Sequence, residues 1–208
     1  MIAYPNFVIG RPYTESEEIT PTIRTRNILS VRISKSEKKL LCIMMNPSNA
    51  NSYESDQTVN RILQLLNHKQ QVGIVEIVNL YPVYKTESSA LYQTLREVLN
   101  TIGKENYIKL LERNNDLIVS KLNEADLTVF AWGDPPNNMP KTDYNEHARN
   151  ILRYASMLQN KRFYIFETQN WEDQLTKLGH PRHPNRNNLL GFIPCNIDRA
   201  GTINLKIS

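Results

Sequence analysis

An unbroken apolar run, Leu40–Met45, constrains the fold more than any other stretch of the sequence. Six consecutive apolar residues between polar ones are typical of a strand that is buried on both faces of a parallel sheet. The run stops at Asn46-Pro47-Ser48, where proline removes a backbone donor and ends the ladder. Because ligands of parallel α/β sheets bind in the loops after the strands' carboxyl ends, we expect the chemistry to lie near Asn46.

Further strands and helices alternate along the chain. Strands are predicted at 28–33, 72–80, 127–132 and 162–166, and helical periodicity at 56–66, 88–124 and 145–158. Residues 1–22 predict an irregular lead-in, and Gly103 predicts a break between two helices. The pattern predicts one domain, 1–208, of the α/β class: a three-layer α/β/α fold with a central, mainly parallel sheet of about four strands, plus an N-terminal hairpin. The polar turn at 34–39 is predicted to form this hairpin by joining the strand at 28–33 to the run from Leu40.

Composition narrows the class of protein. The chain has 208 residues, of which 40% are hydrophobic, and a net charge of +4, a mild preference for polyanions. From residue 177 onwards five Lys or Arg residues stand against one acidic residue. A signal peptide and an apolar run of about 20 residues are both missing, so we expect a soluble cytoplasmic protein.

Several kinds of site are excluded by motif. Two cysteines, Cys42 and Cys195, cannot form a disulfide framework or a four-thiolate metal site. Neither a phosphate-binding G-x-x-x-x-G-K-[ST] loop nor a G-x-G-x-x-G turn occurs. His180 and His183 could bind a metal together with a carboxylate, but the prolines beside them favour a shaped loop. We therefore predict no metal and no cofactor.

Four short motifs follow the predicted strands in order: N-P-S at 46–48, V-N-L-Y-P at 78–82, F-A-W-G at 130–133 and H-P at 183–184. Their order and placement resemble the uracil-DNA glycosylase superfamily, over roughly residues 26–190. The run D-x-T-x-x-R at 56–61, together with N-P-S and the late R-H-P, also resembles an uncharacterised bacterial domain family. The resemblance implies an enzyme that flips a base out of DNA and hydrolyses its N-glycosidic bond.

The resemblance implies roles for polar residues at the strand ends. Asn46 stands where relatives hold the attacking water, Asn79 where they read the base edge, and His183 where they donate to the base carbonyl. His180, in a similar G-H-P context, is the alternative to His183, which we prefer. Asp56 is the nearest carboxylate to the water site and is explained equally well as a catalytic base or as a helix N-cap.

The remaining candidate residues would contact the base or the DNA. Pro47, Ser48, Tyr53 and Tyr81 are predicted to line the base pocket, although an aromatic residue near a strand end is also typical of a core. The predicted DNA contacts lie close to His183 in the sequence. They are Arg182, Arg186, Asn187 and Leu189, with Leu190 as a second candidate for the side chain that inserts into the gap left by the flipped base.

The small Ser48 departs from branches that carry a bulky tyrosine after the proline. It leaves room beside the base, so we expect a pocket for a modified or deaminated pyrimidine, such as one in phage DNA, in either defence or repair. Two alternatives stay open. The chain could bind modified DNA without catalysis, or it could hydrolyse nucleosides or nucleotides.

Overall fold

The computed structural model describes residues 2–67, 71–84, 88–169, 174–186 and 188–206. The strands are β1 (Tyr13–Thr20), β2 (Ile23–Arg32), β3 (Lys39–Met44), β4 (Ile74–Asn79), β5 (Leu127–Phe130), β6 (Arg162–Thr168), β7 (Leu189–Ile197) and β8 (Ile203–Leu205). The α-helices are α1 (Gln57–Asn67), α2 (Leu91–Glu124) and α3 (Lys141–Met157).

One mixed sheet contains all eight strands, in the order β1-β2-β4-β3-β5-β6-β7-β8. Its centre, β4-β3-β5-β6, is parallel, whereas β1 and β2 at one side and β7 and β8 at the other are antiparallel. The apolar run that opens at Leu40 is β3, which lies between two parallel neighbours and is buried on both faces. Burial on both faces explains why apolar and polar residues do not alternate along β3.

Helices pack on both faces of the sheet. On one face α1 packs Val59, Ile62 and Leu63 against the side chains of β3 and β4 that share a face with Leu40 and Val75. On the opposite face α2 and α3 bury a second core. The amphipathic pattern of α1 places five buried residues along one side, as predicted from its periodicity.

The predicted fold, a three-layer arrangement around about four mainly parallel strands, is wrong. The sheet has eight strands in a mixed arrangement, and three α-helices accompany it in the described chain. The parallel strands were predicted because they are apolar runs. Three of the antiparallel strands, β1, β7 and β8, were missed because they lie toward the edges, where β1 exposes five of its eight residues and β7 buries only three of its nine.

The N-terminal region also differs from the prediction. Residues Tyr13–Thr20, expected within an irregular lead-in, form the edge strand β1, whose acidic residues face solvent. The hairpin joins β1 to β2, not β2 to β3, and β2 pairs instead with β4. Charged side chains on an edge strand prevent pairing with another chain, and they also hide the strand from a hydrophobicity pattern.

The predicted break at Gly103 is confirmed. This residue has a φ of 79° within α2, a conformation that favours glycine, so the helical residues on either side follow different axes. None of the described helices combines the length and the apolar character that crossing a bilayer requires.

The packing of α1 gives a stability prediction. Leu63 is fully buried, so Leu63→Ala should lower the free energy of unfolding by about 2–5 kcal/mol through lost burial and a residual cavity. The neighbouring residue Gln64 is exposed and provides the control, because Gln64→Ala should change the free energy of unfolding by less than about 0.5 kcal/mol. Urea unfolding followed by circular dichroism measures both, and equal values would contradict the packing.

Candidate functional site

The central parallel strands bring three of the predicted motifs to one edge of the sheet. Met44 on β3 pairs with Asn79 on β4, and the Tyr81 N–H donates to the Met45 carbonyl at 2.9 Å. On the other side of β3, the Ala131 N–H donates to the Ile43 carbonyl at 2.9 Å. Asn46, Asn79 and Gly133 therefore lie at or just after the carboxyl ends of neighbouring strands, on the same side of the sheet.

Asp56 organises the loop that follows β3. Its Oδ1 accepts the Val59 N–H at 2.9 Å, which caps α1. Its Oδ2 accepts the Ser48 hydroxyl and the Ala50 N–H, the latter at 3.2 Å. Both carboxylate oxygens thus accept hydrogen bonds from the loop or from α1, so Asp56 caps the helix and anchors the loop.

The first residues of the chain hold the same loop from outside. The Tyr4 hydroxyl donates to the Asn51 carbonyl at 2.7 Å, and the Ser55 N–H donates to the Ile2 carbonyl at 2.8 Å. Burial raises the pKa of Tyr4, so it stays a protonated donor. This support has no sequence signature, because both acceptors are backbone carbonyls.

Arg26 reaches the loop from β2 because of a bulge. Ile28 pairs with Glu15 and Arg26 with Ser16, so Asn27 is an extra residue on β2. The bulge reverses the alternation of side chains, and Arg26 joins the face of β2 that packs towards α1. Only 1% of Arg26 is exposed.

The Arg26 guanidinium connects the loop to β4. Nη1 donates to the Ala50 carbonyl at 2.7 Å, and Nη2 donates to Asn79 Oδ1 at 3.3 Å. The Tyr84 ring lies beside it, with its centroid 5.7 Å from Cζ. Burial lowers the pKa of Arg26, but a guanidinium remains charged at neutral pH. No carboxylate in the described parts of the chain forms a salt bridge with it.

Asn79 is fully buried and is held on both its backbone and its side chain. Asn114 Nδ2 donates to the Asn79 carbonyl at 2.9 Å and to the Leu80 carbonyl at 3.0 Å. Three polar atoms in this cluster have no hydrogen-bond partner within the described structure: Arg26 Nε, Asn79 Nδ2 and Asn114 Oδ1. Unsatisfied buried polar atoms are uncommon, and they indicate a place for water or a ligand.

The F-A-W-G motif ends where His183 packs. Gly133 has a φ of 76°, and a Cβ added to it would lie 3.2 Å from His183 Cβ. Its N–H donates to the Pro181 carbonyl at 2.8 Å. Glycine thus serves two purposes here: it adopts the left-handed conformation, and it lets the late H-P segment approach the strand end.

A second contact fixes the H-P segment. The Arg61 guanidinium on α1 donates to the Asn185 carbonyl at 2.8 Å, and the Asn185 N–H donates to His183 Nδ1 at 3.2 Å. Accepting that bond leaves the proton of a neutral His183 on Nε2. In the D-x-T-x-x-R run, Asp56 therefore holds the loop after β3, and Arg61 holds the H-P segment.

His180 has a structural environment. Its Nδ1 accepts the Trp132 indole N–H at 3.3 Å, and its Nε2 bonds to Asn145 Oδ1 at 2.9 Å. Burial lowers its pKa, so the neutral tautomer with the proton on Nε2 fits both partners. Among the described residues, no three His, Cys, Asp or Glu side chains are grouped as a metal would require.

The two predicted aromatic residues occupy opposite environments. Tyr81 is buried and packs against Tyr144 and His147, with ring centroids 6.2 and 5.0 Å away. Tyr53 is 74% exposed at the outer turn of the loop, and the Arg11 guanidinium lies 3.6 Å from its ring centroid. Tyr81 is thus a core residue, whereas Tyr53 presents an aromatic face with a cation on it.

The other predicted contact residues are only partly described. Pro47 is buried, and its carbonyl accepts Asn46 Nδ2 at 3.1 Å. Arg182 is half-buried, and Leu189 packs partly against the core at the start of β7. Asn187 and the Arg186 side chain lie outside the described residues. Leu190, beside them, is 53% exposed.

An open groove of about 640 Å³ lies between β1 and α2. None of the predicted site residues lines it. Its walls carry four acidic and two basic side chains over an apolar floor, so its charge is unsuited to phosphate. The lining residues are Glu17, Glu18, Ile19, Ile102, Asn106, Lys109, Leu110, Glu112, Arg113 and Asp116.

Comparison with known proteins identifies the family. Residues 26–185 match the family described as a protein of unknown function (DUF1643), and the chain belongs to this family. The match begins at Arg26 and ends at Asn185, and it includes Asn46, Asn79 and His183. No curated protein and no solved structure matches the chain.

The loop network predicts unequal effects at Asp56. Asp56→Ala should lower the free energy of unfolding by about 1–2 kcal/mol, because it removes the α1 cap and the bonds to Ser48 and Ala50. Asp56→Asn should cost less, since asparagine also caps helices. Urea unfolding and amide hydrogen exchange of residues 48–56 measure these effects, and identical losses would argue against the network.

Burial of His147 predicts a loss of stability in mild acid. Burial lowers the pKa of His147 to about 4, against an ordinary value of 6.5 that applies when the chain is unfolded. The unfolded chain therefore binds a proton first, and stability falls as the pH drops below about 6.5. From pH 7 to pH 5 the wild type should lose about 2 kcal/mol more than His147→Gln in urea unfolding. Parallel pH profiles for the two proteins would disprove this assignment.

Proposed function

We propose that the protein is a monofunctional DNA glycosylase that hydrolyses the N-glycosidic bond of a flipped, modified or deaminated base. The proposal is supported by the position of three features at the carboxyl ends of the parallel strands. They are Asn46, Asn79 and the contact between Gly133 and His183. A water-orienting amide, a base-reading amide and a hydrogen-bond donor for the leaving base are the groups that this reaction needs.

In the proposed reaction, one group acts on the sugar side of the scissile bond and another acts on the base side. The C1′–N bond breaks with its electron pair going to the base, and water adds to the sugar C1′ and releases a proton. Asn46 Oδ1 accepts a hydrogen bond from that water and orients it. His183, with a proton on Nε2, donates to the base as negative charge accumulates. The released proton finally neutralises the base.

Asp56 supports the path in which the bond breaks before water adds. Both of its oxygens accept hydrogen bonds from the loop, so it positions Ser48 and Ala50 and does not deprotonate water. An amide such as Asn46 is too weak a base to replace it. The sugar must therefore develop cationic character, which the anion of the leaving base and nearby phosphates stabilise.

DNA would approach over the loop that follows β3. Tyr53 and Arg11 offer a stacking face and a cation at its outer turn, and Leu190 offers an exposed apolar wedge beside the H-P segment. The net charge of +4 supports phosphate contacts, so binding should weaken as salt rises.

A second candidate is a modified-DNA binding protein without catalysis. The observation that favours it is the engagement of Asp56, the carboxylate nearest the water site, in loop structure. A binder retains the base pocket and the DNA contacts and releases no base.

Mass spectrometry of released bases tests the proposal. Duplex and single-stranded DNAs that carry uracil, hydroxymethylcytosine, glucosylated hydroxymethylcytosine or only ordinary bases are incubated with the protein. We expect one base to be released, and Asn46→Ala and His183→Ala to slow release by about 100-fold or more while DNA binding persists.

Asn67→Ala is the matched control, because Asn67 is exposed at the far end of α1. It should release base at the wild-type rate. Salt-sensitive binding to one modified DNA with no release would favour the second candidate. Indifference to every DNA would exclude both.

A further inference from the structure

The buried contact between Arg26 and Asn79 suggests how the protein selects its base, an inference that rests on the proposed function. We infer that Arg26 is a specificity-determining positioning residue: it fixes the orientation of the Asn79 amide, so that the site accepts a keto oxygen and rejects an amino group. Arg26 itself need not touch the base, since it acts through Asn79.

The orientation of the amide follows from donor and acceptor chemistry. A guanidinium nitrogen can only donate, so the Asn79 atom that lies 3.3 Å from Arg26 Nη2 must be the oxygen. The other amide atom is therefore Nδ2, a donor, and it has no partner among the described residues. A ligand atom that meets Nδ2 must accept a hydrogen bond.

Rotating the amide would reverse this preference, but Arg26 opposes the rotation. The rotated amide would place Nδ2–H against Nη2–H, and it would leave two buried donors facing each other. Both residues are nearly inaccessible to water, so solvent cannot compensate for the lost bond. Arg26 is itself held by its bond to the Ala50 carbonyl, which keeps its guanidinium in one position.

The charge of Arg26 favours the same kind of ligand. No described carboxylate neutralises it within salt-bridge distance, and its Nε–H is unpartnered. Nε and Nη2 share one edge of the planar guanidinium, and Nη2 on that edge contacts Asn79. The positive potential at Asn79 Nδ2 therefore stabilises a keto oxygen that gains negative charge as the base departs.

Asn79 is fully buried, so the groups that cover it must move before a base can reach Nδ2. Arg26 bonds both to the Ala50 carbonyl in the loop and to Asn79. The loop that admits the base and the amide that reads it are thus connected through one side chain.

Binding of free uracil and free cytosine by calorimetry tests the inference without requiring catalysis. Uracil carries a keto oxygen where cytosine carries an amino group. The wild type should bind uracil at least about tenfold more tightly than cytosine. Arg26→Gln should bring this ratio towards one, because glutamine can donate or accept and so permits both amide orientations.

Asn79→Asp is the second variant and keeps the test decisive if Arg26→Gln does not fold. A carboxylate beside Arg26 forms an ion pair, so the variant should melt at or above the wild-type temperature, yet it should bind uracil at least about tenfold more weakly because the donor is gone. Retention of uracil binding by this variant would overturn the inference.

The remaining outcomes also decide the matter. A wild-type ratio near one, a ratio unchanged in a folded Arg26→Gln, or binding of neither base would each overturn the inference. Selective uracil binding without any base release from DNA would uphold it and would defeat the proposed hydrolysis. Base release from DNA with no preference between the two free bases would support the proposed hydrolysis and overturn the inference about Arg26.

Discussion

The hydrogen bonds of the buried Arg26 guanidinium connect the parts on which the strand-end site depends. A cation without a salt-bridge partner in the described chain is costly to bury, and the cost is reduced only by well-placed acceptors. The Ala50 carbonyl and Asn79 Oδ1 provide them, one from the loop after β3 and one from the end of β4. The bulge at Asn27 makes this geometry possible, because it turns Arg26 towards that loop.

A second set of contacts holds the opposite side of the site. Asp56 closes the loop onto α1, and Arg61, one turn further along that helix, holds the Asn185 carbonyl beside His183. One helix therefore positions both the first and the last loop of the site. The predicted catalytic groups lie on loops that are attached to rigid elements, which is the arrangement that preorganised catalysis needs.

Sequence reasoning succeeded where structure is decided locally. The apolar run from Leu40, the periodicity of α1 and the break at Gly103 each depend on a short stretch of chain, and each is found in the structure. The strand-end position of Asn46 and Asn79 followed from that run and from the proline after each strand.

The failures concern partners that are distant in sequence. Strand order cannot be read from local patterns, so the hairpin was assigned to the wrong pair of strands and the antiparallel edges were missed. Arg26 was overlooked because the predicted strand begins after it, at residue 28, and the bulge at Asn27 shows only in the pairing with β1. The bonds of Asp56 to Ser48 and Val59, which make it the cap of α1 and the anchor of the loop, likewise depend on the folded loop.

Recognition of a base at the Arg26–Asn79 contact is tested most directly by the nuclear magnetic resonance signals of the Arg26 Nε–H and the Asn79 side-chain amide. Spectra are recorded for the protein alone and with DNA that carries a single releasable base, using Asn46→Ala to prevent turnover. We expect slowly exchanging signals from both groups that shift when this DNA binds and stay unchanged with ordinary DNA. Shifts confined to the groove between β1 and α2, with both signals unaffected, would place the ligand there and contradict base recognition by Asn79.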